Sequence, residues 1–244
     1  MSLKVILSGA QGRMGRTLAG LASECEAEVV GELEMGDPLD QLPWNEAQAV
    51  IDFSFHGATL DLLRAAEAAR VPVVIGTTGH TSEELAGIRE IAERLPVSLA
   101  GNYSIGVNLL MHLVGEAARI LPGSYAPEIT EIHHRHKKDA PSGTAINLAE
   151  VVEGARDFPD GARVYGRKGD TGERRQTEIA VHALRGGEVV GEHTVFFLGD
   201  SDRIELTHRA ADRGIFARGA YQAAHWLARR EPGLYSMRDV LGLR

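Results

Sequence analysis

The chain has 244 residues, a hydrophobic content of 43%, a charged content of 25% and a formal net charge of -8 at pH 7. This length suits one large domain or two small ones, and the acidic balance argues against a general nucleic-acid binder, which needs a broad basic surface. The single cysteine, Cys25, excludes an internal disulfide framework and a thiolate metal cage, so we expect a reducing cytoplasm. We see no apolar signal core before the first strand and no apolar run of the roughly 20 residues that span a bilayer. The composition therefore predicts a cytoplasmic globular protein without membrane or nucleic-acid partners.

A glycine turn lies between the first predicted strand and helix. Residues 4–8 are a short apolar run typical of a buried strand, and residues 16–25 show helical spacing. Between them, residues 9–15 have the pattern G-x-x-G-x-x-G, which lets the backbone approach a pyrophosphate at a helix N-terminus. The commoner dinucleotide pattern is G-x-G-x-x-G, and glycine turns also join strands and helices that bind nothing. The turn alone is therefore a weak indication of a dinucleotide site.

An acidic residue follows the second predicted strand, residues 28–33. Glu34 stands where Rossmann domains place the carboxylate that binds the adenosine ribose hydroxyls. An ordinary surface glutamate is the alternative, but strand, turn, helix and spacing agree on the ribose role. Met35 comes next, and neither lysine nor arginine stands beside Glu34 to bind a 2′-phosphate. The sequence therefore favours NADH, although Arg13 or Arg16 could still reach a phosphate.

Strands and helices continue to alternate up to residue 104. We predict strands at 49–54, 71–75 and 97–100, and helices at 58–70 and 82–94. Short apolar strands of this kind are typical of a parallel sheet covered on both faces, whose ligands lie beyond the carboxyl ends of the strands. The loops at 76–79 and 101–104 follow two such ends, where a nicotinamide would reach. Phe53 and Tyr103 are either walls of the cofactor site or core aromatics.

The hydrophobic period changes in the second half of the chain. We predict a helix at 105–121, a strand at 128–132, a helix at 142–155, a loop at 156–172, and strands at 177–184, 189–198 and 203–208. Residues 185–188 are a hairpin turn signal, so the last three strands are predicted to form an antiparallel meander. A sheet face with Val195, Phe197, Ile204 and Leu206 would be an oligomer interface or would be covered by a helix.

The last predicted helix, residues 216–230, should return to the first domain. The predicted fold class is therefore α/β, with a Rossmann-like parallel-sheet nucleotide domain formed by residues 1–104 and 216–244. Residues 105–215 would form an α+β domain with an open mixed, largely antiparallel sheet, which binds substrate and mediates oligomerisation.

Six potential cations in a row, residues 133–138, form the most unusual stretch of the chain. Three of them are histidines, and a helix start follows at 141–144, where Ser142 or Thr144 can cap and backbone N–H groups can hold an anion. Imidazoles beside fixed cations suit a site that binds carboxylates and transfers protons. The alternative is a basic surface loop. On an acidic body with a dinucleotide domain, this stretch favours hydride transfer to an anionic substrate.

Other chemistries are less favoured by the same residues. A zinc site at His133, His134 and His136 lacks an acidic or cysteine ligand at motif spacing, so we predict that the protein binds no metal. Ser/His hydrolysis lacks a nucleophile elbow. Another dicarboxylate or amino-acid dehydrogenase stays open. A non-catalytic NADH sensor also stays open, although a sensor has no evident need for a loop rich in exchangeable protons.

The stretch 133–145, His-His-Arg-His-Lys-Lys-Asp-Ala-Pro-Ser-Gly-Thr-Ala, closely resembles the signature of the bacterial dihydrodipicolinate reductase family, also called 4-hydroxy-tetrahydrodipicolinate reductases. The resemblance extends to residues 9–15, 75–79, 102–108, 191–194 and 237–241. It implies NAD(P)H-dependent reduction of a cyclic unsaturated dicarboxylic imine in the diaminopimelate route to lysine. It also implies a homotetramer assembled through the sheets of the second domain.

The family pattern assigns roles to residues of this chain. His133 would be the acid/base residue and Lys137 the proton donor, while His134 and the Gly143 and Thr144 backbone would hold substrate carboxylates. The cofactor contacts would be Gly9, Ala10, Gln11, Gly12, Arg13, Met14, Glu34, Gly76, Thr77, Thr78, Ala100, Gly101, Asn102 and Tyr103. Three departures from the pattern bear on the cofactor: Met35 replaces a frequent basic residue, residues 55–56 replace an arginine near the adenine, and Gly101 replaces a bulkier residue. The first two leave the use of NADPH open, and NADH is favoured.

Overall fold

The computed structural model describes residues 2–243, which form two compact units. One unit contains the chain up to Ile105 and from Arg213 onward, and the other contains Gly106–Asp212. The predicted divisions, after residue 104 and before residue 216, lie close to these. The ends of the predicted ranges, Met1 and Arg244, lie outside the described residues.

The first unit is built on a parallel sheet, as the short apolar strands predict. Across residues 2–243 this sheet has six strands in the order β11-β5-β4-β3-β1-β2, and every pairing is parallel. The strands are β1 (Leu3–Ser8), β2 (Ala27–Leu33), β3 (Ala49–Asp52), β4 (Val73–Ile75), β5 (Pro96–Leu99) and β11 (Gly233–Tyr235). All residues of β3 and β4 are buried, because helices cover both faces. The short edge strand β11 was not predicted.

Helices of the first unit begin in different ways, some with a side-chain cap and others without one. They are α1 (Arg13–Leu21), α2 (His56–Ala69), α3 (Ser82–Ala92), α6 (Gly214–Leu227) and α7 (Met237–Leu241), with a 3-10 turn at Leu39–Gln41. Thr81 caps α3 in a capping box with Glu84. Helix α1 begins three residues earlier than predicted, because Gly12 adopts the extended N-cap conformation directly after the turn. Helix α6, which the sequence predicts to return to the first domain, packs on α1, β3 and β4.

The second unit contains a mixed sheet in the order β10-β9-β6-β8-β7 over the described residues. Its elements are α4 (Ile105–Ile120), β6 (Ala126–His133), α5 (Gly143–Arg156), β7 (Arg163–Val164), β8 (Ile179–Arg185), β9 (Gly191–Leu198) and β10 (Arg203–Ala210). Strand β6 is central, parallel to β8 and antiparallel to β9. The predicted hairpin between β8 and β9 is therefore wrong, since β6 lies between them. Strand β7 lies within the predicted loop 156–172.

One face of this sheet is covered by helices. Ile129, Val195 and Phe197 are completely buried in a core that they share with α4 and α5. Of the two alternatives predicted for the Val195 and Phe197 face, helix cover is therefore the one found. Strand alternation places Phe196, Leu198 and Leu184 on the opposite face, where Leu184 is 45% exposed. No helix in the described part of the chain has the length and apolarity to cross a bilayer.

Candidate active site

The glycine turn after β1 has a geometry that only glycine permits at two positions. Gly9 has φ +76°, and a Cβ there would overlap the backbone of Phe53. A Cβ at Gly15 would overlap the carbonyl groups of Gly9 and Ala10, so the helix packs directly on the turn. None of the described side chains caps the N-terminus of α1 at Gly12. The positive end of that helix is thus left for an anion, as a pyrophosphate requires.

Glu34 is anchored beside this turn. Its Oε1 accepts a hydrogen bond of 2.5 Å from the Gln11 N–H, and its own N–H donates to Asp37 Oδ2 at 2.8 Å. The two bonds direct the carboxylate into a cavity of about 170 Å³ at the carboxyl ends of β1, β2 and β3. Met35, which is 80% exposed, and Phe55 supply apolar walls. The predicted role of Glu34, which is to bind the adenosine ribose, would place that ribose in this cavity.

Two of the predicted cofactor residues have side chains that are engaged in the protein core. Tyr103 is 1% exposed, and its hydroxyl donates toward the Ile75 and Ser98 carbonyl groups at 3.1 and 3.0 Å. Burial raises the pKa of its phenol. Thr77 donates to Asp52 Oδ2 at 2.9 Å and accepts the Ser54 N–H at 2.8 Å. Tyr103 is therefore a core aromatic, and only the backbone of these two residues is left for a cofactor.

The remaining loop positions lie nearer the surface. Thr78 and Gly101 are exposed neighbours, since a Cβ at Gly101 would lie 3.8 Å from Thr78 Cγ2. Ala100 donates its N–H to Ile75 O at 3.2 Å, and Asn102 Oδ1 accepts the Ser104 N–H at 2.8 Å. Gly76 is required by packing, because a Cβ there would overlap the ring of Phe53. Ala10, Gln11, Arg13 and Met14 belong to the turn and the first turn of α1.

His133 is the last residue of β6, and Glu131 lies two positions earlier on the same face of the strand. Glu131 is completely buried, and its Oε2 lies 2.5 Å from His133 Nδ1. Arg185 donates from its two terminal nitrogens to the two carboxylate oxygens, each at 2.8 Å. The N–H of Ser142 donates to Oε1 at 3.0 Å. One buried carboxylate therefore joins the imidazole, a guanidinium and the start of α5.

The charges of this group are set by burial and by its neighbours. Burial lowers the pKa of His133, and this effect exceeds the opposite effect of Glu131. Burial alone would raise the pKa of Glu131, but the hydrogen bonds from Arg185 and His133 lower it below its usual value. The carboxylate is therefore ionised at neutral pH, while the imidazole is mainly neutral.

A second imidazole lies beside the first. The rings of His193 and His133 are 5.2 Å apart, and His193 Nε2 lies 3.0 Å from Ser142 Oγ. Burial and the charge of His133 lower the pKa of His193 to about 4, so it is neutral at pH 7. Its Nδ1 has no hydrogen-bond partner among residues 2–243. Ser142 is 3% exposed and caps α5 by accepting the Ala145 N–H, so this Ser/His contact is not a nucleophile and base.

Lys137 lies in the loop that follows His133. Its Nζ lies 2.9 Å from Asp139 Oδ2, its side chain is 20% exposed, and its charge contributes to the low pKa of His133. The backbone of His134 is held by a hydrogen bond to Val189 O at 2.7 Å, and its Nδ1 is buried without a partner among the described residues. His136 is on the surface, with a side chain 70% exposed.

The start of α5 is held close to this cluster. Gly143 is its first residue and is exposed, and Thr144 is half-buried. The Ser142 N–H bond to Glu131 fixes this helix start relative to His133. The structure therefore brings the start of α5 close to His133, and Lys137 lies near enough for its charge to lower the pKa of that imidazole. Within residues 2–243, His, Cys, Asp and Glu side chains form no group of three that could hold a metal ion.

Three residues of this cluster were given no role by the sequence reasoning. Glu131, Arg185 and His193 lie at separate places in the chain. A signal existed for Glu131, because a spacing of two on a predicted strand places it on the same face as His133. No local signal pointed to Arg185 or His193, whose proximity depends on the order of the strands.

Comparisons with known proteins give the same family as the signature. The model of "Dihydrodipicolinate reductase, N-terminus" matches residues 3–103, and that of "Dihydrodipicolinate reductase, C-terminus" matches residues 106–241. A 4-hydroxy-tetrahydrodipicolinate reductase of Akkermansia muciniphila is 48% identical over 244 residues, covering 99% of this chain and 98% of the relative. One from Aquifex aeolicus is 44% identical over 268 residues, covering both chains fully at 100%.

A solved structure shares the fold. The dipicolinate-bound dihydrodipicolinate reductase from Paenisporosarcina sp. TG-14 has a TM-score of 0.77 and 24% identity, covering 97% of this chain and 98% of that one. A probable dehydrogenase from Thermotoga maritima has a TM-score of 0.57 and 12% identity, covering 98% of this chain and 92% of that one. Since the family models and the relatives cover both units, the chain belongs to the dihydrodipicolinate reductase family of oxidoreductases, as the sequence predicted.

Proposed function

We propose that this enzyme reduces 4-hydroxy-tetrahydrodipicolinate to tetrahydrodipicolinate in the diaminopimelate route of lysine biosynthesis, with His133 and Lys137 handling the proton. The observation that carries the proposal is the buried contact between Glu131 and His133 at the end of β6, beside Lys137 and the start of α5. This combination of an imidazole, an ammonium and the backbone N–H groups at a helix start suits a dicarboxylate that must gain a proton.

The first unit would hold the nicotinamide cofactor. A reduced nicotinamide, when bound, supplies the hydride. The turn at Gly9, Gly12 and Gly15 fits the pyrophosphate, because it combines close backbone approach with an uncapped helix N-terminus in the described chain. Glu34 would accept hydrogen bonds from the ribose hydroxyls. The backbone of the loops at 76–78 and 100–103 would position the ring.

The second unit would hold the two carboxylates of the substrate. His134 would donate to one, and the N–H groups of Gly143 and Thr144 at the N-terminus of α5 would bind the other. Ser142 supports this arrangement, since its hydroxyl accepts the Ala145 N–H and so caps the helix start beside these two residues.

Proton transfer would be divided between two residues. Because burial lowers the pKa of His133, its neutral form dominates at pH 7 and acts mainly as a base or relay. Lys137 would donate the proton that accompanies the hydride and would regain one from solvent through His133, and the 4-hydroxyl group would leave as water. The salt bridge from Lys137 to Asp139 holds the ammonium group in this loop before substrate binds.

NADH is the favoured reductant. The cavity at Glu34 is also lined by Asp37 and Asp61, and its lining includes neither lysine nor arginine. A 2′-phosphate would meet three carboxylates there without a counter-charge, which costs binding free energy. Arg13 and Arg16 are exposed near the turn and are outside this lining.

Assembly and location follow the family. A homotetramer formed through the second-unit sheets would cover the face that carries Phe196, Leu198 and Leu184, which α4 and α5 leave open. The single cysteine agrees with a cytoplasmic enzyme.

Initial rates with enzymatically generated imine and each reductant test the proposal. We expect turnover of the imine, a higher kcat/KM with NADH than with NADPH, and competitive inhibition by dipicolinate, which the solved relative binds. Turnover of oxaloacetate with ammonia instead would favour an amino-acid dehydrogenase. NADH binding without turnover of either substrate would favour a sensor and contradict the proposal.

A further inference from the structure

A buried ion pair lies directly behind the imidazole of His133. Arg185, on β8, forms two bonds of 2.8 Å to the carboxylate of Glu131, on the adjacent strand β6. Glu131 has no exposed surface, whereas the side chain of Arg185 is 21% exposed. A buried pair of this kind contributes little net stability over apolar residues of equal size, so its presence calls for another role.

We propose that Glu131 and Arg185 act together as positioning residues for His133, with the carboxylate fixing the ring and the guanidinium fixing the carboxylate. The inference rests on the proposed function for the importance of His133 in turnover, but the effect of the pair on the ring can be measured without turnover.

The first argument is orientation. Glu131 is ionised and can only accept, so the 2.5 Å contact requires a proton on His133 Nδ1. In the neutral ring the lone pair is then on Nε2, which makes no hydrogen bond within the described chain. The carboxylate thus selects the tautomer in which the outer nitrogen can accept a proton.

The second argument is geometry of the carboxylate itself. Glu131 Oε2 faces the imidazole and Oε1 accepts the Ser142 N–H, while Arg185 contacts both oxygens. The planar guanidinium allows one orientation of the carboxylate group, since both bonds must be satisfied together. The carboxylate of Glu131 therefore holds both the His133 ring and the start of α5, which keeps the two at a fixed distance from each other.

The third argument is charge. Glu131 favours the protonated form of His133, whereas Arg185, Lys137 and burial disfavour it. His193 is the other titratable side chain against the ring, and it is neutral at pH 7 because of burial. Removing Glu131 should therefore shift the titration of His133 to lower pH, and removing Arg185 should shift it to higher pH.

Selective ¹⁵N-histidine labelling tests these directions in the intact protein. The His133→Gln variant identifies the His133 signals, and long-range ¹H–¹⁵N spectra across pH give both tautomer and titration. We expect the Nδ1-protonated tautomer in the unsubstituted enzyme, a lower titration midpoint in Glu131→Gln and a higher one in Arg185→Met. Glu131→Ala should also lose the tautomer preference, since it lacks any acceptor.

Glu153 and Arg163 provide a matched control. They form a similar two-bond pair, with both distances 2.6 Å, near the other end of α5. Glu153→Gln and Arg163→Met remove the same charges from a two-bond pair away from His133, although the side chain of Glu153 is 20% exposed whereas that of Glu131 is completely buried. These variants should leave the tautomer and the titration of His133 unchanged. The double variant Glu131→Gln/Arg185→Met removes both partners and keeps the test available if a single variant folds poorly.

Kinetics supply the second measurement. Glu131→Gln should lower kcat/KM for the imine by roughly 10²-fold and shift the acidic limb of its pH profile downward, with NADH affinity retained. The inference would be overturned if His133 had the same titration midpoint and the same tautomer in the Glu131 and Arg185 variants as in the Glu153 control. If the spectra were as expected but the enzyme did not turn over the imine, the proposed function would be contradicted. The positioning of His133 by Glu131 and Arg185 would still be supported.

Discussion

Gly191 faces the outer edge of the His133 ring, and a Cβ at Gly191 would lie 3.0 Å from His133 Nε2. The glycine begins β9, which pairs with β6, so the contact is set by the sheet and not by a flexible loop. A glycine within a strand often marks a place where another group approaches closely. Here it leaves the proton-accepting nitrogen uncovered.

Gly191→Ala should therefore impair turnover without unfolding the protein. The methyl group would force the ring to move by a few tenths of an ångström, and we expect kcat to fall by roughly 10-fold to 10²-fold. Gly186→Ala is the control, because a Cβ there meets no atom of the described chain within 4 Å. Imine kinetics compare the two variants, and equal rates in both would show that Gly191 does not protect Nε2.

His133→Gln should lower kcat by roughly 10²-fold or more, as expected for loss of a general acid or base. Affinity for NADH should be retained, because the predicted cofactor residues belong to the first unit. Steady-state rates and a fluorescence titration with NADH measure the two quantities. Unchanged turnover would reject the role of His133.

Glu34→Ala should weaken NADH binding more than NADPH binding. The carboxylate is anchored by the Gln11 N–H and faces the expected ribose position, where a 2′-phosphate would be repelled. Asp40→Ala is a suitable control, since Asp40 is a nearby exposed carboxylate outside the cavity lining. Parallel titrations with both reductants decide the point, and equal losses for both would mean that Glu34 does not bind the ribose.

Stability at acid pH should depend on Glu128. Burial would raise the pKa of this carboxyl, but hydrogen bonds from Arg167, Arg174 and His182 lower it to about 2 from an ordinary value of 4.5. A lowered folded-state pKa contributes stability above the unfolded value, and this contribution is lost as pH falls from 4.5 to about 2. Glu128→Gln should therefore reduce stability at neutral pH and flatten its decline across this window.

Urea unfolding at a series of pH values measures the dependence. Glu116→Gln is the control, since its carboxylate is on the surface of α4 and pairs with Arg119 one helical turn away. That variant should keep the acid dependence of the unsubstituted protein. An equally steep decline in Glu128→Gln would show that the arginine pair does not hold this carboxyl ionised in the folded state.

The parallel half of the fold could be predicted from sequence because each strand is marked locally. Continuous apolar runs such as 71–75 indicate buried strands of a parallel sheet when glycine loops and amphipathic helices alternate with them. Strand pairing in the second unit was harder. The turn at 185–188 has residues typical of a hairpin, yet β6 lies between β8 and β9 in the sheet. The residues of a turn do not indicate that a strand from much earlier in the chain will insert between the two strands that the turn connects. Short terminal elements, β11 and α7, offered too little pattern.

The candidate site shows the same limit. The stretch that contains His133 and Lys137 is conspicuous in the sequence, and the family pattern supplied their predicted roles. Arg185 was missed because its contact with Glu131 depends on a strand crossing, which leaves no mark in either local sequence. Tyr103 could not be assigned from sequence to the core or to the cofactor site, since an aromatic at a strand end suits both until its hydroxyl partners are known.

Strand β6 ends at His133 between two neighbours, with β9 on one side and β8 on the other. Because side chains alternate along a strand, sliding β6 by one residue would turn the imidazole to the opposite surface and expose Ile129 at the same time. Such a shift would expose the buried apolar side chains of the strand and would therefore cost much of the free energy that their packing contributes. Substitutions at Arg135, His136 and Lys138 in the loop that follows can therefore change which acids bind without displacing the imidazole, so new specificities can evolve there while Lys137 and Asp139 are kept.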